Sequence, residues 1–310
     1  MRILVTGAAG FLGSHLTEQL VGISSKIYAV DDLTTGNLEN LKSLSKKSNF
    51  EFINHDVRNP IDLKVDAIFN FACPASPKQY QIDPVRTIET NFLGVVNLLH
   101  LARKNNAILI QASTSEIYGD PLISPQKEEY WGNVNPIGIR SCYDEGKRAA
   151  ETLCFDYFRQ YKTDARVVRI FNTYGPRMAV DDGRVVSNFI VQALLSQDIS
   201  IYGDGSQSRS FCFVTDLIDG ILKVFNLDKN PGQPINLGNP VEFSILQLAN
   251  RIIEMTESKS KIKFESLPFD DPKRRNPDIS RAKAYLNWYP KIGLDTGLLE
   301  TVTYFKKILL

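Results

Sequence analysis

A tyrosine followed four residues later by a lysine can do acid–base chemistry at a hydroxyl group. Tyr143 is the only one of the chain's twelve tyrosines with that partner, Lys147. A phenol ordinarily titrates near pH 10, so it must be shifted downward to act as a base near neutrality. Residues i and i+4 share one face of a helix. The Lys147 ammonium can therefore stabilise a Tyr143 phenolate and also hold a neighbouring ribose. The spacing alone is weak, because about one such pair is expected by chance in a chain this rich in lysine. Its place at the start of a helix that follows a buried strand gives it weight.

A second constellation opens the chain. Ile3-Leu4-Val5-Thr6 is a β-branched, apolar run that leads into Gly7-Ala8-Ala9-Gly10-Phe11-Leu12-Gly13. Gly7 and Gly10 would let the backbone turn and approach a pyrophosphate, and Gly13 would let a helix pack tightly on the strand. The helix N-terminus then offers free N–H groups and the positive end of its dipole. Asp31 ends the second strand. A carboxylate there accepts ribose hydroxyl hydrogen bonds and repels a 2′-phosphate, which favours NAD over NADP. Asp56-Val57 follows the third strand and is expected to hold the adenine. A third group, Thr114-Ser115-Glu116, ends the fifth strand.

These groups need a scaffold. Apolar, β-branched runs fall at residues 2–6, 26–31, 50–54, 66–71, 107–113 and 165–170, with helical patterns best seen at 12–21, 86–104 and 143–161. Such alternation predicts βαβ units in a parallel sheet covered on both faces. Ligands of such sheets sit outside the carboxyl ends of the strands. After about residue 175 the elements shorten and loops carry Gly and Pro. The expected architecture is α/β, a Rossmann-type doubly wound parallel sheet over 1–175 and a smaller substrate-binding lobe over 176–310. Segments within 211–240 are able to rejoin the first sheet.

Composition narrows the partners. With 36 basic and 35 acidic side chains the formal charge is +1, which excludes a broad electrostatic grip on nucleic acid or on an acidic membrane. Cys73, Cys142, Cys154 and Cys212 form no Cys-x-x-Cys pair, and with only three histidines no metal site is expected. The cysteines read as free thiols. No run of 18 apolar residues spans a membrane, and no leader pattern precedes residue 2. A cytoplasmic protein is expected.

The G-x-x-G-x-x-G spacing and the Tyr143–Lys147 pair resemble the extended short-chain dehydrogenase/reductase superfamily. Longer strings resemble the UDP-glucuronate decarboxylase (UDP-xylose synthase) family within it. They are Ala72-Cys73-Pro74-Ala75-Ser76-Pro77, the run from Tyr130-Trp131-Gly132 into Tyr143-Asp144-Glu145-Gly146-Lys147-Arg148, Asn172-Thr173-Tyr174-Gly175-Pro176-Arg177-Met178, and Tyr202-Gly203-Asp204-Gly205 onward to Arg209. Arg275-Asn276-Pro277 extends the resemblance toward the C-terminus. Cys73 replaces a more usual serine and Asn276 a more usual lysine.

The resemblance implies transient C4 oxidation of UDP-glucuronate with bound NAD. Decarboxylation of the 4-keto acid, C5 protonation and re-reduction to UDP-xylose follow. It assigns catalysis to Tyr143, Lys147, Thr114, Ser115, Glu116 and Arg275. Arg275 would grip the sugar carboxylate, and Glu116 would disfavour that charged ground state. Cofactor contacts are expected from Gly7, Gly10, Phe11, Leu12, Gly13, Asp31, Asp32, Thr34, Gly36, Asp56, Val57, Phe71, Thr90 and Thr173. Substrate contacts are expected from Asn97, Asn172, Arg184, Tyr202, Gln207, Arg209 and Arg275. A homodimer is expected through a four-helix bundle built on two apolar stripes: Ile88, Phe92, Val95, Val96 and Leu99, and Ala149, Leu153, Phe155 and Phe158.

Two alternatives stay open. A UDP-sugar 4-epimerase or 4,6-dehydratase is opposed by Ser115, where the dehydratases carry an aspartate, and by the Arg275-Asn276-Pro277 string. A non-catalytic dinucleotide sensor would be expected to lose Tyr143 or Lys147.

Overall fold

The first strand, β1 (Arg2–Thr6), sends Ile3 and Val5 to one face and Leu4 to the other, and all three are fully buried. A strand buried on both sides belongs in the interior of a parallel sheet covered by helices. In the computed structural model, which describes residues 1–267 and 274–310, β1 is such an interior strand, flanked by β4 and β2.

The other early strands are β2 (Lys26–Asp31), β3 (Phe50–Asn54), β4 (Ala67–Asn70), β5 (Ile108–Thr114) and β6 (Ala165–Ile170). The later ones are short: β7 (Thr173–Tyr174), β8 (Ile199–Tyr202), β9 (Ser208–Ser210), β10 (Cys212–Phe213), β11 (Ile235–Leu237), β12 (Glu242–Ser244), β13 (Ile262–Glu265) and β14 (Arg274–Arg275). The main sheet is parallel throughout, in the order β11-β6-β5-β4-β1-β2-β3. The order reverses between β1 and β4, and the crevice at such a reversal is where ligands of open α/β sheets bind.

Among the described residues, ten helices accompany the strands. They are α1 (Phe11–Val21), α2 (Pro77–Tyr80), α3 (Pro84–Glu89), α4 (Val95–Asn105), α5 (Ser141–Tyr161), α6 (Val185–Leu194), α7 (Val214–Phe225), α8 (Ile245–Thr256), α9 (Ser280–Leu286) and α10 (Leu294–Leu309). One face buries Ile110 and Val168 with Leu16 and Leu20 of α1 and Ile221 of α7. The other buries Leu109 and Val167 with Leu98 and Leu99 of α4 and Cys154 of α5.

The single helix expected over 86–104 is interrupted. A wide π-helical turn, Thr90–Gly94, separates α3 from α4. Such turns often occur at functional sites. Here the turn places Asn91, whose amide donates to Cys73 Sγ at 3.0 Å and to the Thr87 carbonyl at 3.0 Å.

Outside the main sheet lie α6, α8, α10 and, among the described residues, three small sheets, β12-β9-β14, β13-β8 and β10-β7. The chain crosses between lobes more than once. β11 pairs with β6, after which β12 returns to lobe two. Asn236 in β11 ties the crossing together. Its Oδ1 accepts from Tyr118 Oη at 2.8 Å, and its Nδ2 donates to the carbonyls of Gln126 at 3.0 Å and Asp278 at 3.1 Å. A buried amide with all its groups partnered fixes one geometry.

The glycine turn is sterically closed to larger residues. A Cβ on Gly13 would lie 1.9 Å from the Gly7 carbonyl oxygen, and Gly7 itself has φ +67° with Phe71 O 2.5 Å from such an atom. Gly13→Ala is therefore expected to lower stability by about 1–3 kcal/mol through forced backbone movement. A urea midpoint equal to that of the unchanged protein would refute the close approach.

Candidate active site

A cavity of about 600 Å³ lies over the carboxyl ends of β1, β4 and β5 and reaches into lobe two. One end is the glycine turn. Gly10 begins α1 with no side chain capping it, so backbone N–H groups at the helix start are left for a ligand. Glycine at the turn and an uncapped helix start fit an anionic pyrophosphate.

Asp31 sits beside the turn, buried. Its Oδ2 accepts from the Ala9 N–H at 2.9 Å and its Oδ1 from the Leu33 N–H at 2.8 Å. Burial pushes its carboxyl up, while those backbone donors pull it down. Asp31 thus braces the turn as well as facing the cavity. A Cβ on Gly36 would lie 2.6 Å from the Asp31 carboxylate, so the glycine lets the chain pass over it.

The other end holds the reactive side chains. β5 ends at Thr114, whose hydroxyl accepts the Glu116 N–H at 3.2 Å and starts the tight turn that aims Ser115 and Glu116 inward. Tyr143 and Lys147, one turn apart on α5, are both buried. Tyr143 stacks on Tyr80 of α2, ring centroids 4.9 Å apart and planes nearly parallel. Lys147 Nζ lies 5.6 Å from the Tyr143 ring centroid and donates to the Ala112 carbonyl at 3.0 Å.

The electrostatics differ from the simple expectation for this pair. Burial pushes the Tyr143 phenol well above its ordinary range, Cys73 and Glu116 add to that, and a Thr114 hydrogen bond opposes it. Burial also lowers Lys147. The protein by itself holds Tyr143 protonated, because desolvation of the phenolate outweighs a lysine committed to a backbone carbonyl.

Glu116 lies between two guanidiniums. Its Oε2 accepts from Arg140 at 2.9 Å and its Oε1 from Arg275 at 3.1 Å. Burial would raise its carboxyl, but Arg275 and then Arg140 hold it well below the usual range, so it stays charged. Arg275 reaches this position because β14 pairs with β9 and because the next residue is clasped. Gln126 N–H donates to Asn276 O at 2.8 Å, and Asn276 N–H donates to Gln126 Oε1 at 2.8 Å.

Residues 3–238 match the NAD dependent epimerase/dehydratase family. The chain belongs to that family. It is 51% identical to UDP-glucuronic acid decarboxylase 1 of Arabidopsis thaliana over all of this chain and 71% of that one. It is 50% identical to UDP-glucuronic acid decarboxylase 1 of Xenopus tropicalis over 99% of this chain and 72% of that one. Among solved structures it is similar to UDP-glucuronic acid 4-epimerase from Bacillus cereus, crystallised with UDP-glucuronic acid and NAD. The TM-score is 0.89 at 29% identity, over 99% of this chain and 100% of that one.

Most of the sequence-derived residues of this epimerase/dehydratase family member come together in the cavity wall. Gly7, Gly10, Phe11, Leu12, Gly13, Asp31, Asp32, Thr34, Gly36, Val57, Phe71 and Thr90 line it from the first lobe's loops. Thr114, Ser115, Glu116, Tyr143, Lys147, Asn172, Thr173, Arg184 and Arg275 line the rest. Five lie outside the wall. The Asp56 carboxylate is taken by Arg58 at 2.8 Å and Arg86 at 3.3 Å. The Asn97 amide donates to the carbonyls of Val57 at 3.0 Å and Arg58 at 2.9 Å, bracing a loop. Tyr202 is half exposed and its carbonyl accepts from Gln207. Arg209 sits on β9 beside Arg275, its Nη1 donating to the Ser208 carbonyl.

Five contributors were not read from the sequence. Tyr80 backs Tyr143, and Arg140 and Asp144 flank Glu116. Arg86 lines the wall and donates to Asp32 at 2.8 Å. Arg177 also lines it, holding Glu18 at 2.6 Å through Nη2 while its Nη1 is buried and unpartnered. Asp144 and Arg177 stood inside strings already singled out. Arg140 carried no signal.

Removing Arg140 leaves a buried carboxylate with half its countercharge. Arg140→Met is expected to destabilise the protein by about 3–5 kcal/mol, with Arg140→Lys recovering part of that. Denaturant midpoints equal to wild type for both variants would show that the pair is not held in solution.

Proposed function

We propose that this protein is a carboxy-lyase that converts UDP-glucuronate to UDP-xylose and carbon dioxide. The observation that carries the reading is that Glu116 and Arg275 line the same cavity as Tyr143, Lys147 and Thr114, with Arg140 bonded to Glu116 beside them. The first pair can recognise a sugar carboxylate and the second group can act on a sugar hydroxyl. Relatives bearing the decarboxylase name at about half identity over nearly the whole chain support the same reading.

The glycine turn and Asp31 would hold NAD, which when bound supplies the acceptor for a hydride and returns it. The protein's own groups do the rest. Thr114 holds the C4 oxygen by its hydroxyl, and Tyr143, which the protein alone keeps protonated, would take the C4 hydroxyl proton once ionised with the oxidised, cationic cofactor bound beside it. Lys147, on the same helix face, is the cation that phenolate formation requires. Oxidation at C4 places a carbonyl β to the C6 carboxylate. Loss of carbon dioxide then leaves a stabilised enolate, which is protonated at C5. Arg275 grips the carboxylate with a planar guanidinium. Glu116, a fixed negative charge nearby, raises the energy of the carboxylate relative to the neutral leaving molecule. Re-reduction at C4 has Tyr143 give its proton back. Asn172 and Arg184 serve the nucleotide end, the Arg184 guanidinium being held by Asp182 at 2.6 and 2.7 Å.

The same reading extends to assembly and location. Val85, Ile88, Phe92 and Leu93 are exposed apolar residues on α3 and the π turn. They suit pairing with a second copy about a two-fold axis, with α4 and α5 completing a four-helix bundle. Val95 and Leu99 take no part, because they face the core and are fully buried. All four cysteines are free thiols, which suits the reducing cytoplasm. No helix among the described residues is long and apolar enough to cross a membrane.

The similarity to a 4-epimerase crystallised with UDP-glucuronic acid favours a second reading, inversion at C4 with the carboxyl group retained. One incubation with UDP-glucuronate and catalytic NAD separates them. A product lighter by one carbon dioxide, with little net NADH, is expected. A product of unchanged mass would replace the decarboxylase with the epimerase. Tyr143→Phe is expected to lower turnover by about 10²–10⁴-fold with substrate binding retained. Glu116→Gln should still form NADH in a single turnover while releasing carbon dioxide more slowly, and an unchanged release rate would remove the role given to Glu116.

A further inference from the structure

The chemistry above leaves Glu151 without a task. The helix α5 carries three buried ionisable side chains at four-residue spacing, Tyr143, Lys147 and Glu151. Residues so spaced lie along one helix face. Tyr143 and Lys147 line the cavity, whereas Glu151 stands one turn further along, against the sheet. Its carboxylate accepts from Ser113 Oγ at 2.5 Å, from Arg169 Nε at 3.0 Å and from Arg169 Nη2 at 2.8 Å. All three residues are buried.

The two partners are neighbours across the sheet. Ser113 on β5 is paired with Arg169 on β6. Alternation along a strand puts Ser113 on the face of Leu109 and Arg169 on the face of Val167. That face packs on α4 and α5 through Leu98, Leu99, Ala150 and Cys154. Apolar contact has no preferred direction, so it leaves the rotation of α5 about its own axis loosely set. A carboxylate that takes three hydrogen bonds from two strands admits one rotation. Burying such an ion pair adds little to stability against apolar residues of the same size, so what it supplies here is geometry. Lys147 makes a second tie, its Nζ donating to the Ala112 carbonyl at 3.0 Å. That ammonium is also the cation of the proposed chemistry, so the Glu151 tie is the one with no duty toward a ligand.

We propose that Glu151 is a positioning residue for proton transfer: bound to Ser113 and Arg169, it fixes α5 on β5 so that Tyr143 and Lys147 face Thr114. This rests on the role given to Tyr143 above and supplies its alignment.

The lever is short. Glu151 is about two helical turns from Tyr143, and Ser113 is the residue before Thr114. One contact therefore joins the helix and the strand end whose hydroxyls meet at the reacting oxygen. A rotation of α5 by about 20° would carry a side-chain tip about 6 Å from the axis through about 2 Å. A misplacement of about 1 Å can cost about 10²-fold in rate. Arg169 is itself held from the loop after β5. Its Nη1 donates to Tyr118 Oη at 2.9 Å and to the Glu128 carbonyl at 2.9 Å.

The test is rapid mixing of UDP-glucuronate with NAD-loaded protein, with NADH followed by its absorbance, beside calorimetric affinities for NADH and UDP. Ser113→Ala removes the tie to β5 and keeps the Glu151–Arg169 pair, so it retains the fold. NADH formation in Ser113→Ala is expected to slow by about 10- to 100-fold, with KM and both affinities within about twofold of wild type. Ser113→Thr restores a hydroxyl and should recover most of the rate. Glu151→Gln weakens the hold of Arg169 and should slow the same step, and Ser113→Ala decides the matter whether or not that variant folds. NADH formation at the wild-type rate in Ser113→Ala, or a loss of rate matched by an equal loss of NADH and UDP affinity, would overturn the proposal. UDP-glucose offers the same C4 hydroxyl without the carboxylate. NADH formed by wild type from UDP-glucose, with none from UDP-glucuronate, would overturn the decarboxylase reading, and the rate of Ser113→Ala on UDP-glucose would still decide the role of Glu151.

Discussion

A buried carboxylate cannot exist without countercharge, and Glu116 draws its countercharge from two directions. Arg140 arrives just before α5 in the first lobe, and Arg275 arrives on β14 in the second. The site is therefore complete only when the lobes are closed on each other. The neutral devices nearby serve the same closure. Gln126 clasps Asn276, and Asn236 joins Tyr118, Gln126 and Asp278. Each places an element of lobe two against the loop that follows β5. The geometry around Tyr143 inherits its precision from this contact, since Tyr80, Glu116 and the start of α5 all meet there.

The scaffold was legible in the sequence because it follows periodicity. Strands buried on both faces read as continuous apolar runs, and six of the seven sheet strands stand where those runs fall. The seventh, β11, is three residues long and too short to carry a pattern. The helix over 86–104 read as continuous because its apolar spacing is continuous. The π turn at Thr90–Gly94 is set by where Asn91 and Gly94 must go, not by propensity. A Cβ at Gly94 would meet Val57 at 2.9 Å.

The site was legible where its chemistry sits in one segment. The glycine turn, the strand-end Thr114-Ser115-Glu116 and the Tyr143–Lys147 pair are local, and all lie in one wall. What spacing could not show is the effect of burial and of partners distant in sequence. Tyr80 lies 63 residues before the ring it stacks on, and Arg140 reads as an ordinary loop arginine. Asp56 and Asn97 are polar and near the cavity, yet their groups are spent on Arg58, Arg86 and two carbonyls. The tyrosine–lysine pair shows the limit best. The sequence supplies both groups at the right separation, but whether the phenol goes up or down depends on the desolvation around it.

The pairing of β11 with β6 bears on how this chain can be divided. Between those strands run β7, α6, β8, β9, β10 and α7, and after β11 the chain leaves the main sheet again. No single cut separates the lobes. A fragment ending at residue 175 would expose the N–H and C=O groups of β6, a strand of almost wholly buried residues, along an open edge. Such an edge is a template for another chain. The edge strand also closes a loop of more than sixty residues, so the sheet is finished only after much of lobe two has been made. Assembly of the elements that follow β6 is thus a step in completing the main sheet, and the two halves of the molecule mature together.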